Sequence, residues 1–469
     1  MRVRSNLCRL SALGVLIVLF AAACGNSKSQ SATTNTTVNT GPAATVAPAA
    51  DLTKFVPGRG PGVDDNKKEI RVAVITTATN PIGGKYAQYA DGVQAYFDMI
   101  NAQGGIYGRK LVIVKRRDDQ VGLQNVQQVQ SSLADDNAFA TFVATLQFTG
   151  ADLLAKANQP TFIWNINPEM ATPKDGPSHA NIFGSVGALC FSCAGPYLPW
   201  LATQSGFSKV GILAYSKATS AESGLCADGT RESYTKYAPN IRVAFFDDSL
   251  PFAADITADV TRMKEAGVQF INTCMDTNEV TKLAREMKQQ GLNAVQELPN
   301  GYDHAAIAAS GDIFDGSFVA PQYVPWEDMP QSPATKQYLA YTSAHNVDTV
   351  EITEDGWVMA QMFLDGLKLA GPEFTKQKVI NALNTQTAEA PGGLIVPIDW
   401  TKQHNDPTNN LAVRSKYECD AVTKIEGGKF IPQFTEPGKP WICFNPDPNA
   451  PMPGPNGVTH MSFAPGGVG

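Results

Sequence analysis

Asn101-Ala102-Gln103-Gly104-Gly105-Ile106-Tyr107-Gly108-Arg109-Lys110-Leu111 stands where one element ends and the next begins. Upstream of it, Tyr86, Tyr89, Ala90, Val93, Tyr96, Phe97 and Ile100 recur at i, i+3, i+4 and i+7. That spacing predicts an amphipathic helix over 84–101. Gly104 and Gly105 stop the helix, Gly108 turns the chain, and 111–114 reads as a strand. A short apolar, β-rich run at 71–76 precedes the helix, so the stretch joins a strand–helix–strand unit. The pattern continues with a helix over 122–135, a strand at 139–145, a helix over 149–158 and a strand at 161–164. This alternation predicts a parallel sheet flanked by helices.

The rhythm breaks at 165–188, a loop rich in Pro, Gly and Asn, and then restarts. Helices are expected at 194–204, 221–237, 254–266 and 278–290, with strands at 209–215, 241–246, 269–274 and 294–298. Three more helices (333–345, 352–370, 374–387) and a strand at 393–398 follow. Two similar α/β units predict two lobes with a cleft at the carboxyl ends of their strands. The expected organisation is 69–188 with about 322–390 in lobe 1, and 189–321 with about 391–444 in lobe 2. Residues 24–66 hold almost no large apolar side chain, and 445–469 are dominated by Pro, Gly and Asn. Neither can bury enough surface to offset ordering entropy, so a disordered tether and a disordered tail are expected.

The amino terminus carries Arg2, Arg4 and Arg9, then an apolar core over 13–20, then Leu19-Phe20-Ala21-Ala22-Ala23-Cys24. The core is too short for a permanent span and reads as an export signal over 1–23. Small residues before a cysteine resemble the lipobox of bacterial lipoproteins. That resemblance implies lipidation of Cys24, with Ala21 standing where leucine is usual. The full chain has 469 residues with 37 basic and 44 acidic side chains; without the three signal arginines 34 stand against 44, a net charge of −10. This balance argues against nucleic acid and against docking on anionic lipid, which leaves the lipid as the one expected membrane contact. Six cysteines remain: Cys190, Cys193, Cys226, Cys274, Cys419 and Cys443. An even number in an exported chain favours disulfides. Their pairing is open, with Cys419–Cys443 preferred because both sit in the irregular carboxyl-terminal part.

The opening stretch, followed by Arg117-Asp118-Asp119-Gln120, resembles the first βαβ unit of the branched-chain amino-acid-binding proteins. These are the extracytoplasmic substrate-binding subunits of ABC importers. Pro168-Glu169-Met170, Lys288-Gln289-Gln290-Gly291-Leu292, and Gly311-Asp312 with Asp315-Gly316 agree in order, over about 69–435. The resemblance implies a type I periplasmic binding fold, two doubly wound parallel-sheet lobes joined by three crossovers. It also implies a non-enzymatic, monomeric protein without cofactor that hands a small solute to ABC permease subunits.

Family ligand contacts come from loops at strand carboxyl ends, which carries candidate roles to Lys85, to Gln147, Phe148 and Thr149, and to Trp164 and Asn165. In the second lobe they fall on Asp276, Asn300 and Tyr302. Lys85 reads as a partner for an acid or as a solvated helix-start lysine; Trp164 reads as a contact or as core. The family's serine pair is replaced by Gln147, Phe148 and Thr149, its Tyr-Gly motif by Ser220-Ala221-Glu222-Ser223-Gly224, and its ammonium-binding acid by Asn300. An ammonium in a cleft needs an opposite charge. The departures therefore point from leucine-type ligands toward an amino-acid-like or carboxylated solute with a bulkier apolar body.

A ligand-sensing lipoprotein that reports to a receptor is the second reading, and an exported hydrolase the third. The sequence carries no Gly-x-Ser-x-Gly elbow, His-Glu-x-x-His pair or phosphate loop, so no catalytic or metal-binding residue is assigned. Cys190-Phe191-Ser192-Cys193 has redox spacing, but outside the cell a structural disulfide is the expected use.

Overall fold

The computed structural model describes residues 51–80, 82–164, 170–173, 175–185, 190, 192–328, 330–404, 418–445, 447, 449–454 and 457–464. Cys24, Asn165, Pro168 and Glu169 therefore lie outside the described residues, as does the expected signal segment. The first sheet is built from β1 (Val63–Asp64), β2 (Glu69–Thr76), β3 (Lys110–Asp118), β4 (Ala140–Ala144), β5 (Thr161–Ile163) and β6 (Ile182–Gly184). Between them run α1 (Gln88–Ala102), α2 (Asn125–Asp135) and α3 (Ala151–Lys156). β2 pairs in parallel with β3 on one side and β4 on the other, and β5 and β6 follow outward. The parallel order β3-β2-β4-β5-β6 reverses direction between β2 and β4. Every residue of β4 and β5 is buried, as a sheet covered on both faces requires.

After α4 (Tyr197–Gln204) the same winding repeats. Strands β7 (Lys209–Tyr215), β8 (Arg242–Leu250), β9 (Phe270–Cys274), β10 (Val295–Glu297) and β11 (Phe318–Val319) alternate with α5 (Ala221–Tyr237), α6 (Thr257–Ala266), α7 (Thr277–Gln290) and α8 (His304–Ala309). Their order, β8-β7-β9-β10-β11, reproduces that of the first sheet. Ser220 caps α5 by accepting from the Ser223 amide, and Asp303 caps α8 in the same way.

The chain then returns to the first sheet with α9 (Pro333–Ala344), α10 (Glu351–Ala370) and α11 (Lys376–Leu383). The crossing of α1 and α10 is set by two glycines. A Cβ on Gly92 would lie 1.8 Å from the Thr353 carbonyl oxygen, and one on Gly356 would lie 2.0 Å from that of Tyr89. Finally β12 (Glu418–Asp420), β13 (Thr423–Glu426), β14 (Lys429–Pro432), β15 (Trp441–Phe444) and β16 (Thr459–Met461) form antiparallel pairs. β13 and β14 extend the second sheet, and β12, β15 and β16 make a small sheet of their own. Disulfides join Cys190 to Cys193, Cys226 to Cys274, and Cys419 to Cys443. Cys419 and Cys443 are cross-strand neighbours on β12 and β15.

Three boundaries differ from the expectation. Residues 51–66 belong to the folded body, not to a disordered tether. The buried Arg109 guanidinium pairs with Asp65 at 2.5 Å, donates to the Val56 carbonyl at 2.8 Å, and lies 4.1 Å from the Phe55 ring. The expected disordered tail holds β16, paired with β15. Within the segment expected in lobe 2, the described stretch 391–404 packs against the first sheet. Trp400 meets Phe183 edge-on at 4.9 Å and its amide donates to the Gln386 carbonyl. The predicted strand at 393–398 reduces to a single bridge, Glu389 with Ile398, after a 3-10 turn at Pro391–Gly393.

Candidate functional site

Strand reversals between β2 and β4, and between β7 and β9, open two crevices at carboxyl ends, the usual place for a ligand in such sheets. In the first sheet the base of the crevice is filled by the protein itself. Asp119, fully buried, accepts from the Thr77 hydroxyl at 2.8 Å, from the Thr145 hydroxyl, and from the Asn125 amide at 2.9 Å. Asn125 in turn accepts from the Gly150 amide at 2.8 Å. This closed network draws the 145–150 loop onto α2. As a result Phe148 is buried in the core and Thr149 is exposed. Neither lines either of the two cavities described below.

The two halves meet just beyond. The Tyr86 hydroxyl, from the segment ahead of α1, donates to Asp276 Oδ1 at 2.9 Å at the start of α7. The Asn278 amide donates to the Ile82 carbonyl at 3.3 Å. Gly83 has φ +86°, and a Cβ there would fall 2.2 Å from Asn278 Oδ1, so only glycine permits this approach. Lys85 Nζ reaches Asp303 at 2.9 Å and Asp348 at 3.1 Å. Lys85 is therefore paired with two of the protein's own carboxylates.

A cavity of about 310 Å³ lies beside these contacts. Trp164 at the end of β5, Tyr86, and Tyr302 after β10 form its aromatic wall. The Tyr86 and Trp164 rings stand 5.0 Å apart. Tyr302 is fixed by a 2.5 Å bond to Glu327 and by accepting from the Trp326 amide at 2.7 Å. Asn300, with φ +52°, holds the turn into Gly301 and borders the cavity as well. A smaller space of about 130 Å³ adjoins it across Pro299 and Asn300, lined by Gln147, Tyr215 and Asp276 among others. Of the candidates from sequence, then, Lys85, Trp164, Asn300 and Tyr302 border the larger space, and Gln147, Asp276 and Asn300 the smaller.

Burial raises the Asp276 carboxyl to about 6, against the bond from Tyr86 and with repulsion from Glu279. Glu351, at the start of α10 beside the larger cavity, is raised by burial to about 7, although the Gln322 amide donates to its Oε1 at 2.8 Å. Sequence reading missed Tyr86, Asp303 and Glu351, and also Val280, Arg285 and Ile307, which wall the larger cavity from α7 and α8. The aromatic pattern around residue 86 marked only a helix face; that Tyr86 reaches α7 depends on the approach at Gly83. Among the described residues, no group of three or more His, Cys, Asp and Glu is arranged for a metal ion, and no helix is long and apolar enough to cross a membrane.

The chain is 26% identical over 327 residues to the leucine-, isoleucine-, valine-, threonine- and alanine-binding protein of Pseudomonas aeruginosa, covering 67% of this chain and 82% of that protein. The fold matches a valine-bound branched-chain amino acid ABC transporter protein from Thermus thermophilus with TM-score 0.63 at 18% identity, over 79% of this chain and 96% of that one. It also matches a fatty acid ABC transporter substrate-binding protein from Thermomonospora curvata with TM-score 0.63 at 17% identity, over 87% and 98%. The doubly wound, two-lobed type I architecture is common to these structures. The family model described as periplasmic binding protein matches residues 69–415, most of the sequence, and the chain belongs to that family.

Proposed function

We propose that the protein is the solute-binding component of an ABC importer, which captures an amino-acid-like or carboxylated organic solute between its lobes and hands it to the permease. The observation that carries this reading is the larger cavity, bounded by Trp164 and Tyr86 from one half and by Tyr302 and Asn300 from the other. A ligand held on both sides favours the closed arrangement by its differential affinity alone, so no catalytic group is needed. Family membership supports extracytoplasmic work. The relatives support the chemistry: one is named for leucine, isoleucine, valine, threonine and alanine and another for fatty acid.

Anchoring is part of the same proposal. Diacylglyceryl modification of Cys24 would tie the body to the membrane through 25–50. A Cys24→Ser precursor should fail to partition into detergent; normal processing and anchoring of that variant would refute the anchor. For the binding reading, native mass spectrometry of the protein purified without denaturant is the test. One bound organic molecule per chain is the expected result. Turnover of any added compound by the isolated chain would count against it.

A further inference from the structure

The larger cavity does not stop at the cleft between the lobes. It continues into the second lobe between α7 and α8. Thr277, Val280, Thr281 and Arg285 lie at i, i+3, i+4 and i+8 on one face of α7, and all four border it. At about 1.5 Å per residue, that face spans on the order of 12 Å. The opposite wall is apolar: Leu298, Ile307 and Phe314 are each at most 5% exposed and belong to the main core cluster. A branched aliphatic side chain would leave most of this length unfilled.

The charges along the cavity are uneven. Lys85 is answered by both Asp303 and Asp348. Glu351 is held toward its protonated form by burial. Arg285, at the outer end of the α7 face, is exposed and makes no ion pair or hydrogen bond among the described residues. The lining thus has, at Arg285, a cation that no carboxylate among the described residues answers. We infer that the ligand is an extended apolar monocarboxylate, its body lying along α7 toward Trp164 and its carboxylate facing Arg285. This deepens the solute-binding reading and rests on it.

Calorimetric titration of the protein with butanoate, octanoate and dodecanoate, beside leucine and valine, tests the assignment. Affinity should rise about fourfold per methylene until the cavity is filled, as burial of each CH₂ predicts. Arg285→Gln should weaken octanoate by up to about fivefold, the range of an exposed pair, and leave octanol unchanged. Ala306→Trp, at an exposed position of α8 that borders the cavity, should abolish the chain-length gain with an unchanged thermal midpoint. Equal affinity for butanoate and dodecanoate would overturn the inference. Tight binding of leucine or valine with none of the acids would overturn it too, while sparing the solute-binding reading. Binding of neither set, together with no solute in native mass spectrometry, would refute both.

Discussion

The two sheets wind alike, yet their carboxyl-end crevices are used differently. In the first, Thr77, Asp119, Asn125 and Thr145 bond to one another in a buried network. In the second, Asp276 turns outward from the start of α7 and accepts from Tyr86 of the other half. The first crevice is therefore structural and the second is part of a joint. Free space appears one strand further out, where aromatic rings from β5 and from the turn after β10 face each other. An unpaired polar group in a crevice is a place for a ligand; a fully paired one is a place for the protein.

The sharpest break of that contrast is Asp119→Ala. It strands four buried donors (the Thr77 and Thr145 hydroxyls, the Asn125 side-chain amide and the Gly122 backbone amide) and should cost about 3–5 kcal/mol of stability, seen as a lowered denaturant midpoint. A loss under about 1 kcal/mol would mean the network is wet and open. The pH dependence of binding tests the other crevice. Asp276 sits at about 6 here, whereas a solvated aspartate sits near about 4. The arrangement in which Tyr86 meets Asp276 thus holds the proton more tightly than one that exposes Asp276 to water, so contact between the halves is favoured at low pH and that advantage is lost as pH rises from about 4 to about 6. Apparent affinity should fall by roughly tenfold between about pH 4.5 and pH 7, and Asp276→Asn should flatten the profile. An identical profile in the variant would remove Asp276 from the joint. Tyr86→Phe deletes the hydroxyl that bridges the halves, and should weaken solute binding about fivefold with little change in the unfolding midpoint. Lys85→Ala comes last. Lys85 Nζ already has two protein carboxylates and its side chain is 38% exposed, so the expected loss is below about threefold. A much larger loss, confined to acidic ligands, would restore Lys85 as a direct contact.

Much of the architecture was readable because it is local. Lys209–Tyr215 and Ala221–Tyr237 lie where the sequence reading expects a strand and a helix. The Gly104-Gly105 stop and the strand beyond it follow from backbone preference alone. What escaped reading depends on distant partners. Nothing near Val56 or Asp65 announces that Arg109 will gather both, and so 51–66 looked like tether. β11 spans only Phe318–Val319, too short for any period to show. Trp164 and Tyr302 could be placed at strand ends, since aromatic residues there stand out from the turn chemistry around them. Phe148 had the same local appearance, but the Asn125–Gly150 bond rotates its loop into the core. Val280, Arg285 and Ile307 carry no motif. Their shared cavity exists only because α7 and α8 stand apart against the turn at Asn300.

Hydrogen–deuterium exchange, with and without the solute identified by native mass spectrometry, addresses the central claim directly. Bound solute should slow exchange at 82–86 and at 276–303 together, since both halves contribute to one cavity. Protection confined to a single half, or absent from both stretches while the solute stays bound, would contradict capture between the lobes.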